Sequence, residues 1–144
     1  DMKDGSKEKC LNLVKNYDLA SEVSFKGRVP KNEWLKLSKK YDIFVNTTNI
    51  ESFGISNIEA ISCGLVLATT NSGELKYIFE DNKNCILVDK NDPEMMSKRL
   101  INLINEQHLI VDIIKNSQLI LKSFLWENVK SEWLSVFNSI DIED

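Results

Sequence analysis

Thr47 to Gly73 reads T-T-N-I-E-S-F-G-I-S-N-I-E-A-I-S-C-G-L-V-L-A-T-T-N-S-G, and its punctuation predicts a strand–helix–strand unit. The preceding run, Asp42-Ile43-Phe44-Val45-Asn46, has strand length and an apolar centre. A polar loop follows, then Gly54, then a helix opening near Ile55 or Ser56. Gly64 closes that helix, because a glycine there can take the left-handed backbone that ends helices. Leu65-Val66-Leu67-Ala68-Thr69 starts at once and is apolar nearly throughout. Continuous apolar runs suit strands covered on both faces, as in parallel sheets.

Ligands of open α/β sheets bind beyond the carboxyl ends of the strands. The loop before the helix lies at that edge. A helix N-terminus offers unpaired N–H groups and the positive end of a dipole, which suits a phosphate. Gly54 lets a ligand approach the backbone closely. Glu51 stands in the loop and Glu59 inside the helix, eight residues later. Glu59 is one turn beyond Ile55, roughly 6 Å along the axis. Two carboxylates flanking a phosphate site match the outline of sugar, diphosphate and ribose. The same pattern also describes an ordinary solvated helix start, and the residues alone leave both readings open.

Outward from this unit the alternation continues. Val23-Ser24-Phe25-Lys26-Gly27 and Cys85-Ile86-Leu87-Val88 read as two further strands. Ser6 is placed to cap a helix carrying Cys10, Val14 and Tyr17. Pro30 and Asn32 open another, with Trp34, Leu37 and Tyr41 at helical spacing. A short helix is expected over Glu74 to Phe79. Asp92 followed by Pro93 is a good helix start, with Met96, Leu100, Leu103 and Ile104 along one face. The next helix carries Leu109, Ile113, Ile120, Leu121 and Phe124. The last carries Trp126, Val129, Trp133, Val136, Phe137 and Ile140, and such stripes read as core-facing. The fold class predicted is α/β: a Rossmann-like parallel sheet of about four strands with flanking helices and a helical C-terminal third.

Composition narrows the function. The 144 residues are 42% hydrophobic and 28% charged, with 5 Gly and 2 Pro, so a packed core is expected rather than disorder. The net charge is −4 and the pI near 5.1, with Lys dispersed among Asp and Glu, which argues against a nucleic-acid partner. No apolar run approaches the ~20 residues of a transmembrane span. Cys10, Cys63 and Cys85 are widely spaced and form no CxxC pair, so neither a disulfide framework nor a zinc site is expected, and a cytoplasmic location is. His108, the single histidine, reads as a surface residue between helices.

The central segment resembles the E-x7-E region of the family-four retaining glycosyltransferases, whose fold is GT-B. Glu51, Phe53, Gly54, Glu59, Ala60, Gly64, Thr70 and Gly73 match that pattern in register. Val23 to Val29, Tyr41 to Val45, Asn84 to Val88, and Phe124, Trp126 and Val129 resemble flanking family segments in the same order. The resemblance implies that residues 1–144 form part of the C-terminal, nucleotide-sugar-binding domain. It implies a donor such as a UDP- or GDP-sugar, no cofactor and no metal. Glu51 would contact the sugar and is the catalytic candidate. Phe53, Gly54 and Ile55 would meet sugar and diphosphate, Glu59 the ribose, and Val29 with Arg28 the base. Thr48 and Gly73 complete the donor-binding set. The reaction implied is sugar transfer with retention, by positioning and stabilisation of the leaving diphosphate.

The sequence departs from the pattern in places. Thr48 replaces a serine, Val66 a proline, Glu74 the second of two glycines, and Cys85 a turn glycine. No segment matches the two strands that open the family's C-terminal domain, nor their diphosphate-clamping G-R…K segment. An N-terminal acceptor domain is likewise expected to lie outside this chain, which would then be a piece of a longer enzyme, inactive alone. With strand order 3-2-1-4-5-6 the two absent strands would leave a gap of about 14 Å between 23–27 and 43–46. The expectation is a sheet broken there, or a rearranged sheet in which those strands pair directly. The resemblance admits peripheral association with the inner face of the membrane. A non-catalytic nucleotide-sugar-binding module, or a GT-B epimerase or phosphorylase fragment, are the alternative functions.

Overall fold

Three parallel strands carry the architecture: β1 (Ile43–Asn46), β2 (Val66–Thr70) and β3 (Ile86–Val88), hydrogen-bonded in the order β1-β2-β3. Ile43 pairs with Val66 and Asn46 with Thr69, while Ala68 pairs with Ile86 and Thr70 with Val88. All five residues of β2 are buried, the outcome expected of an apolar run at the centre of a parallel sheet. The structure, a computed structural model, describes residues 5–139.

Helices fill the connections and the C-terminal third. They are α1 (Ser6–Asn16), α2 (Lys31–Ser38), α3 (Ile55–Ser62), α4 (Leu75–Ile78), α5 (Pro93–Asn105), α6 (Gln107–Ile120) and α7 (Trp126–Ser139). A 3₁₀ turn, Leu121–Phe124, joins the last two. Alternate residues of a strand face opposite ways, and the core divides accordingly. Val66, Ala68, Ile86 and Val88 pack against Met96, Leu103 and Ile113 on one face. On the other, Leu67 and Cys85 pack with Ile61, Leu75 and Phe79, joined by half-buried Phe44, Ile58 and Ile120. The helix starts and stops follow the sequence: Asp92 caps α5 by accepting from the Met95 N–H at 2.9 Å, with Pro93 at its start. Gly64, at φ 81°, follows α3.

The chain forms two compact units, one ending at Lys36 and one beginning at Leu37. The first holds α1, which buries none of its residues. Gly5, at φ 75°, occupies the N-cap position of α1, so Ser6 is the first helical residue rather than the cap.

Several expectations are corrected. Residues 23–27 form no strand, so the sheet has three strands among the described residues, and neither the direct pairing with 43–46 nor a fourth strand is present. Val23 and Phe25 are 39% and 45% exposed. A strand needs a neighbour for its backbone groups, and β propensity alone does not supply one. Tyr41 lies beyond α2 and is exposed, as is Ile104 on α5. His108 sits in the first turn of α6, exposed, not between helices. The stripe of α7 does not face the core: none of its residues is buried, and Trp126, Trp133 and Phe137 are all more than half exposed. Trp133 and Phe137 instead stack on one another, centroids 5.6 Å apart. Helical periodicity reveals an apolar face without revealing what covers it. Ile140 lies outside the described residues.

Candidate functional site

Residues 47–54 leave the carboxyl end of β1 and turn into α3. Gly54 is the pivot. It is the N-cap of α3 at φ 77°, a conformation disfavoured for other residues, and a Cβ there would come within 2.7 Å of Asn57 Nδ2 and 2.8 Å of Leu75 Cδ2. No side chain caps α3, and no acidic residue stands in its first turn. Its leading N–H groups and positive dipole end are therefore uncompensated by the helix itself. Ile55 and Ser56, at that end, are exposed.

Glu51 and Glu59 flank this helix end, and both are half-buried. Glu51 Oε1 accepts from the Ser52 N–H at 3.2 Å, which turns its carboxylate back along the loop. Glu59 stands mid-helix, roughly 6 Å along the axis from Ile55. The Phe53 ring meets Phe124 edge-on, with centroids 5.5 Å apart, so the 3₁₀ turn Leu121–Phe124 braces the Phe53-Gly54 step. Thr48 donates its hydroxyl to the Ile50 carbonyl at 2.8 Å and so shapes the loop. Gly73 comes from the loop after β2. A Cβ on it would lie 1.7 Å from the Glu51 carbonyl oxygen, so only glycine permits this approach.

Glu51, Phe53, Gly54, Ile55, Glu59, Thr48 and Gly73 thus all lie in the second unit, on the β1–α3 loop, on α3 or against it. Arg28 and Val29 belong to the first unit, where Arg28 is exposed and Val29 half-buried. Residues outside the expected donor-contacting set hold the loop. Asn46 Nδ2 donates to Asn57 Oδ1, Thr70 Oγ1 to the Thr48 carbonyl, and Ser72 Oγ to the Asn49 carbonyl. Thr70, the last residue of β2, matches the motif, and Ser72 is a small polar residue just beyond that buried strand, so each had a signal in the sequence.

The other arginine of the chain is committed elsewhere. Arg99 grips Asp81 through two nitrogens, at 2.8 and 3.2 Å, and reaches Asn82 Oδ1 at 2.7 Å. This knot closes the turn before β3, with Asn82 at φ 59°. Cys85 follows, fully buried, and fills the core where the family turn has a glycine. A cavity of about 400 Å³ opens at the same sheet edge between the loops after β1 and β3 and the α5 wall, but neither glutamate lines it.

The sequence profile described as Glycosyl transferases group 1 matches residues 3–119. The chain belongs to this family. Sucrose-phosphate synthase 4 of Arabidopsis thaliana is 29% identical over 129 residues, covering 87% of this chain but 12% of that protein. The chain thus spans about an eighth of that relative. The C-terminal domain of a glycosyl transferase group 1 family protein (LpcC) from Francisella tularensis superimposes with TM-score 0.74 at 24% identity, over 81% of this chain and 60% of that one. Anabaena Alr3699/HepE, in complex with UDP-glucose, superimposes with TM-score 0.83 at 17% identity, over 96% and 38% of the respective chains. The fold is that of the C-terminal domain of a GT-B transferase. Among the described residues no helix is long and apolar enough to cross a membrane.

Proposed function

We propose that this group 1 glycosyl transferase chain binds the nucleotide-sugar donor for a sugar transfer that retains the anomeric configuration. The observation that carries the reading is the uncapped N-terminus of α3 at the carboxyl edge of the sheet, with Glu51 before it and Glu59 one turn inside it. The diphosphate takes the free N–H groups of the Phe53-Gly54-Ile55 segment. Glu59 accepts from the ribose hydroxyls, and Glu51 from the sugar hydroxyls, orienting the anomeric carbon. The helix end stabilises negative charge as the diphosphate leaves, so the rate gain comes from orientation and electrostatics. The acceptor is held by a further domain of the polypeptide, and the protein works in the cytoplasm or at the inner membrane face. That a relative of the same fold is in complex with UDP-glucose, and that another is a sucrose-phosphate synthase, supports a UDP- or GDP-sugar as donor.

Calorimetric titration with UDP-glucose and GDP-mannose tests the reading. One of the two is expected to bind, and Glu59→Ala to weaken the matching nucleoside diphosphate about tenfold, as for the loss of a charge-assisted hydrogen bond. Glu51→Ala leaves the nucleoside diphosphate affinity unchanged and lowers turnover of the full-length polypeptide. No binding of either compound rejects the donor site; binding with no transfer by the full-length polypeptide from any donor favours the non-catalytic module.

A further inference from the structure

Five residues, 48–52, carry Glu51 past the end of the sheet, and four of their carbonyls are each claimed by a donor. Thr70 Oγ1 donates to Thr48 O. Ser72 Oγ donates to Asn49 O at 3.1 Å. Thr48 Oγ1 donates to Ile50 O at 2.8 Å, and the Glu74 N–H donates to Ser52 O at 3.2 Å. The fifth carbonyl, that of Glu51, rests where the side chain of residue 73 would be. Four of these five restraints come from residues 70–74. Thr70 and Ser72 are themselves buried, at 5% and 3% exposure, so their hydroxyls are fixed rather than free to rotate into solvent.

We propose that Ser72, with Thr70, is a positioning residue: it sets the backbone from which Glu51 reaches the donor sugar, without touching the donor. The inference rests on the donor-site reading above. The Ser72 hydroxyl bonds the Asn49 carbonyl, two residues before Glu51. Losing that bond lets the loop drift, and a misplaced carboxylate loses its grip on the sugar while the helix end still holds the diphosphate.

The test measures the ratio of sugar-nucleotide to nucleoside diphosphate affinity, using UDP-glucose with UDP or GDP-mannose with GDP, whichever pair the wild-type protein binds. Ser72→Ala is expected to shift the ratio about fivefold against the sugar-nucleotide, the effect of one net hydrogen bond. The diphosphate affinity stays constant, and Ser72→Thr restores the ratio. Amide hydrogen exchange at residues 50–53 quickens in Ser72→Ala. Glu51→Gln is run beside it. If Glu51→Gln shifts the ratio and Ser72→Ala does not, the positioning role is wrong and the donor site stands. An equal loss of both affinities in Ser72→Ala marks a merely structural residue and also overturns it. If Glu51→Gln leaves the ratio unchanged, or the wild-type protein binds neither pair, the donor-site reading fails and this inference with it.

Discussion

Asn46 Nδ2 donates to Asn57 Oδ1 at 2.9 Å, joining the last residue of β1 to the first turn of α3. The same Asn46 side chain accepts from the Thr48 N–H at 3.2 Å. One amide therefore sets both the departure of the loop and the seat of the helix that the loop leads into. Asn57 is fully buried, and its Nδ2 has no partner among the described residues, so the bond from Asn46 pairs only its Oδ1.

Asn46→Ala removes that bond and leaves the Asn57 amide buried with neither end paired. The expected loss is about 1–3 kcal/mol, the desolvation of an unpaired polar group. Urea denaturation measures it, and an unchanged midpoint would show that Asn57 finds another partner.

Gly73→Ala and Gly64→Ala separate strain from collision. Both glycines have positive φ, at 57° and 81°, but only at Gly73 does a Cβ strike backbone. Gly64→Ala is expected to lose about 1 kcal/mol, the conformational penalty alone. Gly73→Ala must also push the Glu51 carbonyl aside, so it loses more stability and impairs sugar-nucleotide binding. Equal losses in the two variants would contradict the close approach.

Asp81 gives the protein an acid-sensitive tie. Partial burial pushes its carboxyl up, but the hydrogen bond from Arg99 and that from the Leu87 N–H, together with the Arg99 charge, hold it below 3.8. A lowered folded-state value means that the stability is present above about pH 3.8 and is lost as pH falls through the folded value. Arg99→Gln should reduce stability at neutral pH by up to ~1 kcal/mol, given the exposure of the pair. It should also flatten the decline below pH 4; a parallel acid curve would show that other carboxylates govern it.

Cys85 is pushed up to about 12 from 9.0, first by burial and then by the charge of Asp81. Protonated and inaccessible, it should resist Ellman's reagent in the native protein, whereas exposed Cys10 reacts at once. The raised value adds stability that is complete below pH 9 and lost as pH rises toward 12. Native-state labelling of Cys85 at the rate of Cys10 would contradict the packing.

What the sequence discloses depends on how local the cause is. The apolar run of β2, the glycine after α3 and the Asp92-Pro93 start are local, and all three stand where the pattern puts them. The placement of Glu51, Gly54 and Glu59 about one helix start was legible for the same reason, since one loop and one helix carry them. Residues 23–27 and α7 were misread because pairing and burial depend on partners that periodicity does not name. The bonding roles of Thr70 and Ser72 were not legible because their bonds span 22 and 23 residues of chain. Gly73 was visible as a motif glycine, but the carbonyl that makes it necessary belongs to a different loop.

Helix α6 belongs to both halves of the interior. Ile113 packs beneath one face of the sheet, while Ile120 packs beneath the other, and Gln118 bonds the Ile61 carbonyl at the end of α3. At about 1.5 Å per residue, its 14 residues form a pin about 21 Å long. Neither layer can melt while the other keeps its packing, because each would have to let go of the same rod. The second unit therefore unfolds as a single cooperative block, and a stable half-melted state retaining only one face of the sheet is closed to it.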